Sequence, residues 1–317
     1  MRTLVSLFGF TPKQEERIRE AAPGWNVVFG KPRELDEAIF REAEVVCGWW
    51  PAVADEGLKP EAKLRWVQTG SAGVDNLPLA RLASREVILT SASGVHPIPM
   101  TETVFAMLLA FTRRLHEAIR HQREGRWAPA GRYGELHGLT IGIVGAGEIG
   151  AETARIAQAF GMHTLGIRRS ARPAPHFDRM YGMEELDEVL GQSDVVVNIL
   201  PHTEETVRLF DARRFSRMKP TGLFINIGRG TAVDTDALTE ALRAGTIAGA
   251  GLDVFDPEPL PEGHPLWSMD NVIITPHIGG ATEAYKARMA DLFIANLSAY
   301  VADGRPARNL IDYSRSY

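Results

Sequence analysis

The run GIVGAGEIG (142–150) sets Gly145, Gly147 and Gly150 in a G-x-G-x-x-G spacing, directly after an apolar stretch and before a segment of helical character at 148–160. Each glycine has its own job in such a turn. The first permits the tight bend, the second lets the backbone approach a diphosphate, and the third lets a helix pack closely on a strand. The diphosphate would rest on the N-terminus of the helix, around Glu148, Ile149 and Gly150, where free N–H groups and the helix dipole favour negative charge. The expected ligand is therefore a dinucleotide.

Such a unit ordinarily carries an acidic residue about 20 positions further on, which binds both hydroxyls of the adenosine ribose and repels a 2′-phosphate. Here the strand candidate MHTLGI (162–167) runs instead into Arg168, Arg169 and Ser170. Two guanidinium forks and a hydroxyl suit a phosphate dianion, and no carboxylate remains to reject it. NADP(H) is expected as the preferred cofactor, with NAD(H) still possible; the competing reading makes these arginines a solvated loop edge.

Three further motifs succeed it in order, FINIGRGTAVD (224–234), AGLDVFDPEPLP (250–261) and ITPHIGGAT (274–282). With the glycine fingerprint, they give the chain a pattern that resembles the D-isomer-specific 2-hydroxyacid dehydrogenases, over essentially its whole length and most strongly from 94 to 283. Chemistry alone also makes sense of the set. Reducing a 2-keto acid needs a cation for the carboxylate, an acid that protonates the carbonyl oxygen as hydride arrives, and a group that keeps that acid charged. Arg229 can clamp the carboxylate in a bidentate pair and polarise the adjacent carbonyl. His277 is the candidate proton donor, and the base in the reverse direction. Glu258 can hold the imidazolium by a charged hydrogen bond. In the family the matching arginine, glutamate and histidine take these three roles.

The resemblance implies more. Asp253 would bind the nicotinamide carboxamide, the backbone around Ile227 would contact the ring, and Thr101 would reach the cofactor from the crossing between domains. Pro201, His202 and Thr206 would flank the adenosine. On the substrate side, TGSAGVDN (69–76) is the matching loop, in which Ser71, Ala72 and Gly73 can present N–H groups to a carboxylate as a nest. Trp49, followed by Trp50, is a candidate roof for the pocket. The helix expected at 100–124 and the adjoining EGRWAPAGRYGELHG (124–138) resemble the arm by which the family dimerises, with Trp127 as a candidate anchor, so a homodimer is expected. The implied reaction is reduction of a small 2-keto acid such as glyoxylate or hydroxypyruvate to the D-2-hydroxy acid. Formate dehydrogenases share the fold but carry glutamine where Glu258 stands. A nucleotide-sensing corepressor of the same fold is the reading from another class; it is disfavoured because the chain shows no extended tail or basic arm.

These residues need a scaffold, and the sequence supplies an α/β one. Short apolar runs alternate with amphipathic stretches from end to end, the pattern of a parallel sheet covered by helices. TLVSLF (3–8), WNVVF, AEVVCG, LRWVQTG and EVILTS are strand candidates of a first domain, with Thr11 and Pro12 opening its first helix. LTIGIVG (139–145), MHTLGI, SDVVVNI, TGLFINI, TIAGAGLDV and NVIITPH form a second series. The expected architecture is two Rossmann-like or flavodoxin-like doubly wound domains with the active site in the cleft between them. Residues 1–98 and 284–317, the latter carrying a returning helix at about 283–302, would form the substrate domain, and 99–283 the dinucleotide-binding domain.

Composition narrows the partners. Net charge is −5 and the isoelectric point near 6.0, so a nucleic-acid or anionic-membrane partner, which would want a broad basic face, is not expected. No apolar run approaches a membrane span. Cys47 is the single cysteine, which excludes an internal disulfide and fits a reducing cytoplasm; no zinc-type cluster is expected.

Overall fold

In the computed structural model, which describes residues 1–129 and 131–314, internal contacts divide the chain into two units. One is Met1–Val95 together with the stretch that starts at Thr282; the other is His96–Ala281. The sequence placed these changes at 98 and 284, two to three residues later.

The first unit opens with β1 (Thr3–Ser6), α1 (Pro12–Ala21), β2 (Asn26–Phe29), α2 (Ile39–Glu42), β3 (Val45–Cys47), α3 (Pro51–Gly57), β4 (Trp66–Gln68), α4 (Leu79–Ser84) and β5 (Ile88–Thr90). Pro12 occupies the first turn of α1, and the Gln14 side chain accepts from the Thr11 amide at 2.8 Å. All five strands are parallel, in the order β2-β1-β3-β4-β5. Their side chains alternate between two cores: Leu4, Val45, Cys47 and Trp66 enter one, Val5, Val46 and Val67 the other. Burial on both faces is why these strands read as unbroken apolar runs.

The second unit begins with α5 (Pro97–Thr112) and α6 (Leu115–Arg123) and continues through β6 (Thr140–Val144), α7 (Glu148–Ala159), β7 (His163–Ile167), β8 (Arg179–Tyr181), α8 (Leu186–Gln192), β9 (Val195–Asn198), α9 (Ala212–Phe215), β10 (Leu223–Asn226), α10 (Thr235–Arg243), β11 (Gly249–Leu252) and β12 (Val272–Ile274). The seven parallel strands run β12-β11-β10-β9-β6-β7-β8, so the winding reverses between β6 and β9. In such sheets a ligand sits beyond the strand ends at that reversal. Val195, Val197 and Ile225 face α5 and α7, whereas Val196 and Phe224 face a core that includes Phe210 and Phe215. Phe215 meets Phe224 edge-on, ring centres 5.3 Å apart. Finally α11 (Tyr285–Asp303) packs on α1 in the first unit, burying Met289, Phe293 and Leu297 at helical spacing.

Two expectations need correction. The helix expected to run unbroken over 100–124 is two helices: Arg114 adopts a left-handed conformation, φ 53°, and pairs with Glu117 on the next turn, so the chain bends without glycine or proline to announce it. Strand β8 is absent from the sequence reading. Its three residues, RMY, carry too little pattern, and it exists because β7 offers an edge on which Tyr181 is buried opposite Ile167.

Candidate active site

The glycine turn lies where β6 leaves the sheet. Gly145 has φ 109°, a left-handed value, and a Cβ there would meet the Ile199 carbonyl group at 3.1 Å, so both conformation and space call for glycine. A Cβ on Gly150 would fall 2.6 Å from the Gly145 carbonyl oxygen, which explains the close approach of α7 to its strand. Nothing lies within 4 Å of a Cβ built on Gly147. Its freedom is not spent on a protein neighbour; with exposed Gly147 and Glu148 opening α7 and Ile149 half-buried behind them, the turn fits a diphosphate on the helix N-terminus.

Two buried asparagines organise the neighbouring strand ends. Asn198 Nδ2 donates to Asn226 Oδ1 at 2.9 Å; Asn198 Oδ1 accepts from the Leu200 amide and Asn226 Oδ1 from the Gly228 amide. Asn226 Nδ2 donates in turn to the Arg229 carbonyl at 3.1 Å. The pair thus ties the loop that bears Pro201 to the loop that bears Arg229. Sequence reasoning missed both asparagines, although each closes an apolar run, VVVN and FIN, at the same relative place. Ile227 is buried and its amide bonds the Asn198 carbonyl. His202 Nδ1 lies 2.8 Å from Thr231 Oγ1. Thr206 is buried, with its hydroxyl on the Pro201 carbonyl at 2.8 Å, so it closes its own loop.

Arg229 stands between glycines that are sterically required. A Cβ on Gly228 would sit 2.7 Å from the Leu200 carbonyl oxygen, and one on Gly230 would collide with the Phe255 backbone at 1.9 Å. The Phe255 amide donates to Glu258 Oε1 at 2.9 Å, and Glu258 Oε2 lies 2.7 Å from His277 Nδ1. Arg229, Glu258 and His277 are therefore joined through one run of contacts in one unit. Nδ1 is thus the ring nitrogen that the carboxylate engages, which leaves Nε2 as the other nitrogen of the imidazole.

His277 has φ 54°, a left-handed conformation uncommon outside glycine and asparagine, held from below by Asp253. The His277 amide donates to the Asp253 carbonyl at 2.8 Å, Oδ1 accepts from Thr275 Oγ1 at 2.5 Å and the Ile278 amide at 2.9 Å, and Oδ2 accepts from the Gly279 amide at 2.9 Å. Asp253 is 1% exposed. Its carboxylate thus clasps the loop that carries His277, a role that the sequence did not suggest.

At the end of β7, the Nε and Nη2 of Arg168 donate to the Ser170 and Arg172 carbonyls at 3.0 and 2.8 Å, shaping the 168–173 turn. Arg169 pairs with Glu205 at 3.0 Å, and Ser170 is exposed. Thr101, expected at the cofactor, is 2% exposed, and its hydroxyl lies 3.1 Å from that of Thr153 on α7. That places it in helix packing rather than on an open surface.

In the first unit, the 69–73 loop is folded by its own side chains. Thr69 Oγ1 donates to the Ser71 carbonyl and Ser71 Oγ to the Gly73 carbonyl, and Tyr285 of α11 donates to the Gly70 carbonyl at 2.6 Å. Ala72 and Gly73 are half-buried. Trp49 and Trp50 are half-buried against the core that contains Val46 and Val67. Trp127 is fully exposed; Ala130, in the same stretch, lies outside the described residues. Away from all of this, a hollow of about 470 Å³ opens at the N-terminal ends of the second unit's strands, lined by Phe111, His116 and Asp194 among others, and holds none of the candidate site residues.

Among the described residues no helix is long and apolar enough to cross a membrane. The profile described as D-isomer specific 2-hydroxyacid dehydrogenase, NAD binding domain, matches residues 105–279. A glyoxylate reductase of Thermococcus onnurineus is 39% identical over 283 residues, 86% of this chain and 82% of that protein. Among solved structures, a D-isomer specific 2-hydroxyacid dehydrogenase family protein from Aeromonas salmonicida superposes with a TM-score of 0.86 at 36% identity, covering 98% of this chain and 99% of the other. An NADPH-dependent glyoxylate/hydroxypyruvate reductase from Sinorhizobium meliloti, in complex with NADP and malonate, gives 0.76 at 30%, covering 99% and 98%. This chain belongs to the D-isomer specific 2-hydroxyacid dehydrogenases and is an NAD(P)-dependent enzyme of that family.

Proposed function

We propose that the enzyme reduces a small 2-keto acid of the glyoxylate or hydroxypyruvate kind to the D-2-hydroxy acid, and that it prefers NADPH to NADH. The observation that carries this reading is the 2.7 Å contact of His277 Nδ1 with Glu258, continuous through Phe255 and Gly230 with Arg229. The names of the Thermococcus and Sinorhizobium relatives support the substrate class, and the two arginines after β7 support the cofactor.

Residues 145–150 would hold the diphosphate, Arg168, Arg169 and Ser170 the 2′-phosphate end, and the strand-end loops at Pro201, His202 and Ile227 the rest of the nucleotide. Bound NADPH supplies the hydride. Arg229 takes the substrate carboxylate in a bidentate pair and draws electron density from the neighbouring carbonyl. His277 then delivers the proton from Nε2 to the carbonyl oxygen, and Glu258 steadies the imidazolium before transfer. The 69–73 loop would add N–H groups suited to a carboxylate, with Trp49 as an apolar wall. Residues 1–95 and 282 onward would thus be the substrate domain, and 96–281 the dinucleotide-binding domain.

A homodimer is also part of this reading. Leu115 and Ile119 expose one apolar face of α6, and Trp127 and Tyr133 lie exposed on the adjoining stretch. The buried single cysteine suits the cytoplasm. A panel of 2-keto acids assayed with each reduced nicotinamide tests the proposal: glyoxylate or hydroxypyruvate should turn over best, and faster with NADPH at limiting cofactor. Turnover confined to bulky keto acids, or to NADH, would contradict it.

A further inference from the structure

The acid that the fold ordinarily places at the end of its second strand is missing from the sequence, yet a carboxylate stands beside that strand end in the structure. Glu205, from the loop after β9, brings Oε2 to 3.0 Å from Nη2 of Arg169. Its backbone is fixed by its neighbour: the buried Thr206 hydroxyl bonds the Pro201 and Thr203 carbonyls and accepts from the Thr203 amide at 2.9 Å. Arg168 meanwhile commits donors to the carbonyls of Ser170, Arg172 and Pro173. Much of its fork is spent in shaping the turn. Arg169 is then the guanidinium on which a 2′-phosphate would chiefly draw, and Glu205 is the anion already paired with it.

We propose that Glu205 is a specificity-determining residue that competes with the 2′-phosphate for Arg169 and so moderates the preference for NADPH over NADH. This rests on the reading that the arginines after β7 receive that phosphate. Two anions within hydrogen-bond reach of one guanidinium repel each other, and the phosphate must displace the carboxylate or share its partner. Both side chains are substantially exposed, which limits the effect to a several-fold one and makes it sensitive to salt.

Calorimetric titration of the intact protein with adenosine 2′,5′-bisphosphate and with 5′-AMP reads this directly and without turnover. Glu205→Gln should bind the bisphosphate about three- to tenfold more tightly than the parent, with 5′-AMP moved by less than about twofold and the gap shrinking as salt is raised. An unchanged or weaker bisphosphate affinity, or equal tightening of both nucleotides, overturns the proposal. Thermal melting checks that the variant is folded. A parent protein that binds the bisphosphate no better than 5′-AMP defeats the cofactor reading itself, and this inference with it; a parent that discriminates while Glu205→Gln does not change the ratio defeats this inference alone.

Discussion

The Phe255 backbone fills the space that a side chain at Gly230 would need: a Cβ there would fall 1.9 Å from the Phe255 carbonyl carbon and 2.5 Å from its Cα. Because the Phe255 amide in turn holds Glu258, this single close approach ties the turn that carries Arg229 to the segment that holds the Glu258–His277 pair. Gly230→Ala must push two backbones apart. It should cost about 3 kcal/mol of stability and lower kcat/KM by about 10²-fold, since a displacement near 1 Å at a reacting group has that effect. Gly134→Ala, where nothing lies within 4 Å, is the control. Denaturant unfolding and steady-state kinetics check both; a Gly230→Ala enzyme with parental kcat/KM would break the link drawn from Gly230 to the catalytic groups.

Asp253 offers a second route to the same groups. Replacing its carboxylate by an amide removes one of two acceptor oxygens that receive the Thr275 hydroxyl and the Ile278 and Gly279 amides. Asp253→Asn should lose about 1–3 kcal/mol, the cost of a buried donor left without its partner. The left-handed His277 would lose part of its support, so kcat should fall by more than KM rises. Thermal melts and a full kinetic analysis check this. Unchanged melting would mean that the clasp does not hold the loop.

Alkaline behaviour is set by three tyrosines of the first unit. Burial pushes Tyr285, Tyr300 and Tyr313 from 10.0 up to about 12. The folded state therefore favours their neutral forms. That contribution is complete below pH 10, the unfolded value, and is lost as pH rises towards 12. Tyrosinate absorbance followed beside circular dichroism should show these three ionising late, together with loss of the first unit's structure. Ionisation near pH 10 with the fold intact would contradict the burial assigned to them.

Much of the fold and of the site was legible in the residues. Uninterrupted runs such as VVV at 195–197 announce strands buried on both faces, and the glycines at 145, 147 and 150 announce a strand, a tight turn and a closely packed helix, because only one backbone geometry uses all three. The Arg229, Glu258 and His277 motifs stand out as candidates because reduction of a 2-keto acid needs side chains of those types. The features that escaped have a common physical cause: they depend on partners remote in sequence. Asn198 and Asn226 look like strand-end caps until they face each other across two strands. The hold of Asp253 on the 275–279 loop shows only once that loop, more than twenty residues on, closes over its carboxylate. The pairing of Arg169 with Glu205 depends on a loop 36 residues further on, which the motif at 168–170 does not announce. The break at Arg114 is a different case, since it depends on a local pairing with Glu117 that no turn residue signals.

The central claim is that His277, steadied by Glu258, donates the proton to the keto acid. Turnover of glyoxylate with NADPH by His277→Ala, measured alongside the calorimetric affinity of the same variant for NADPH, tests it most directly. The account predicts kcat lower by about 10²- to 10⁴-fold with cofactor affinity essentially kept. A His277→Ala enzyme that turns over near the parental rate would contradict it.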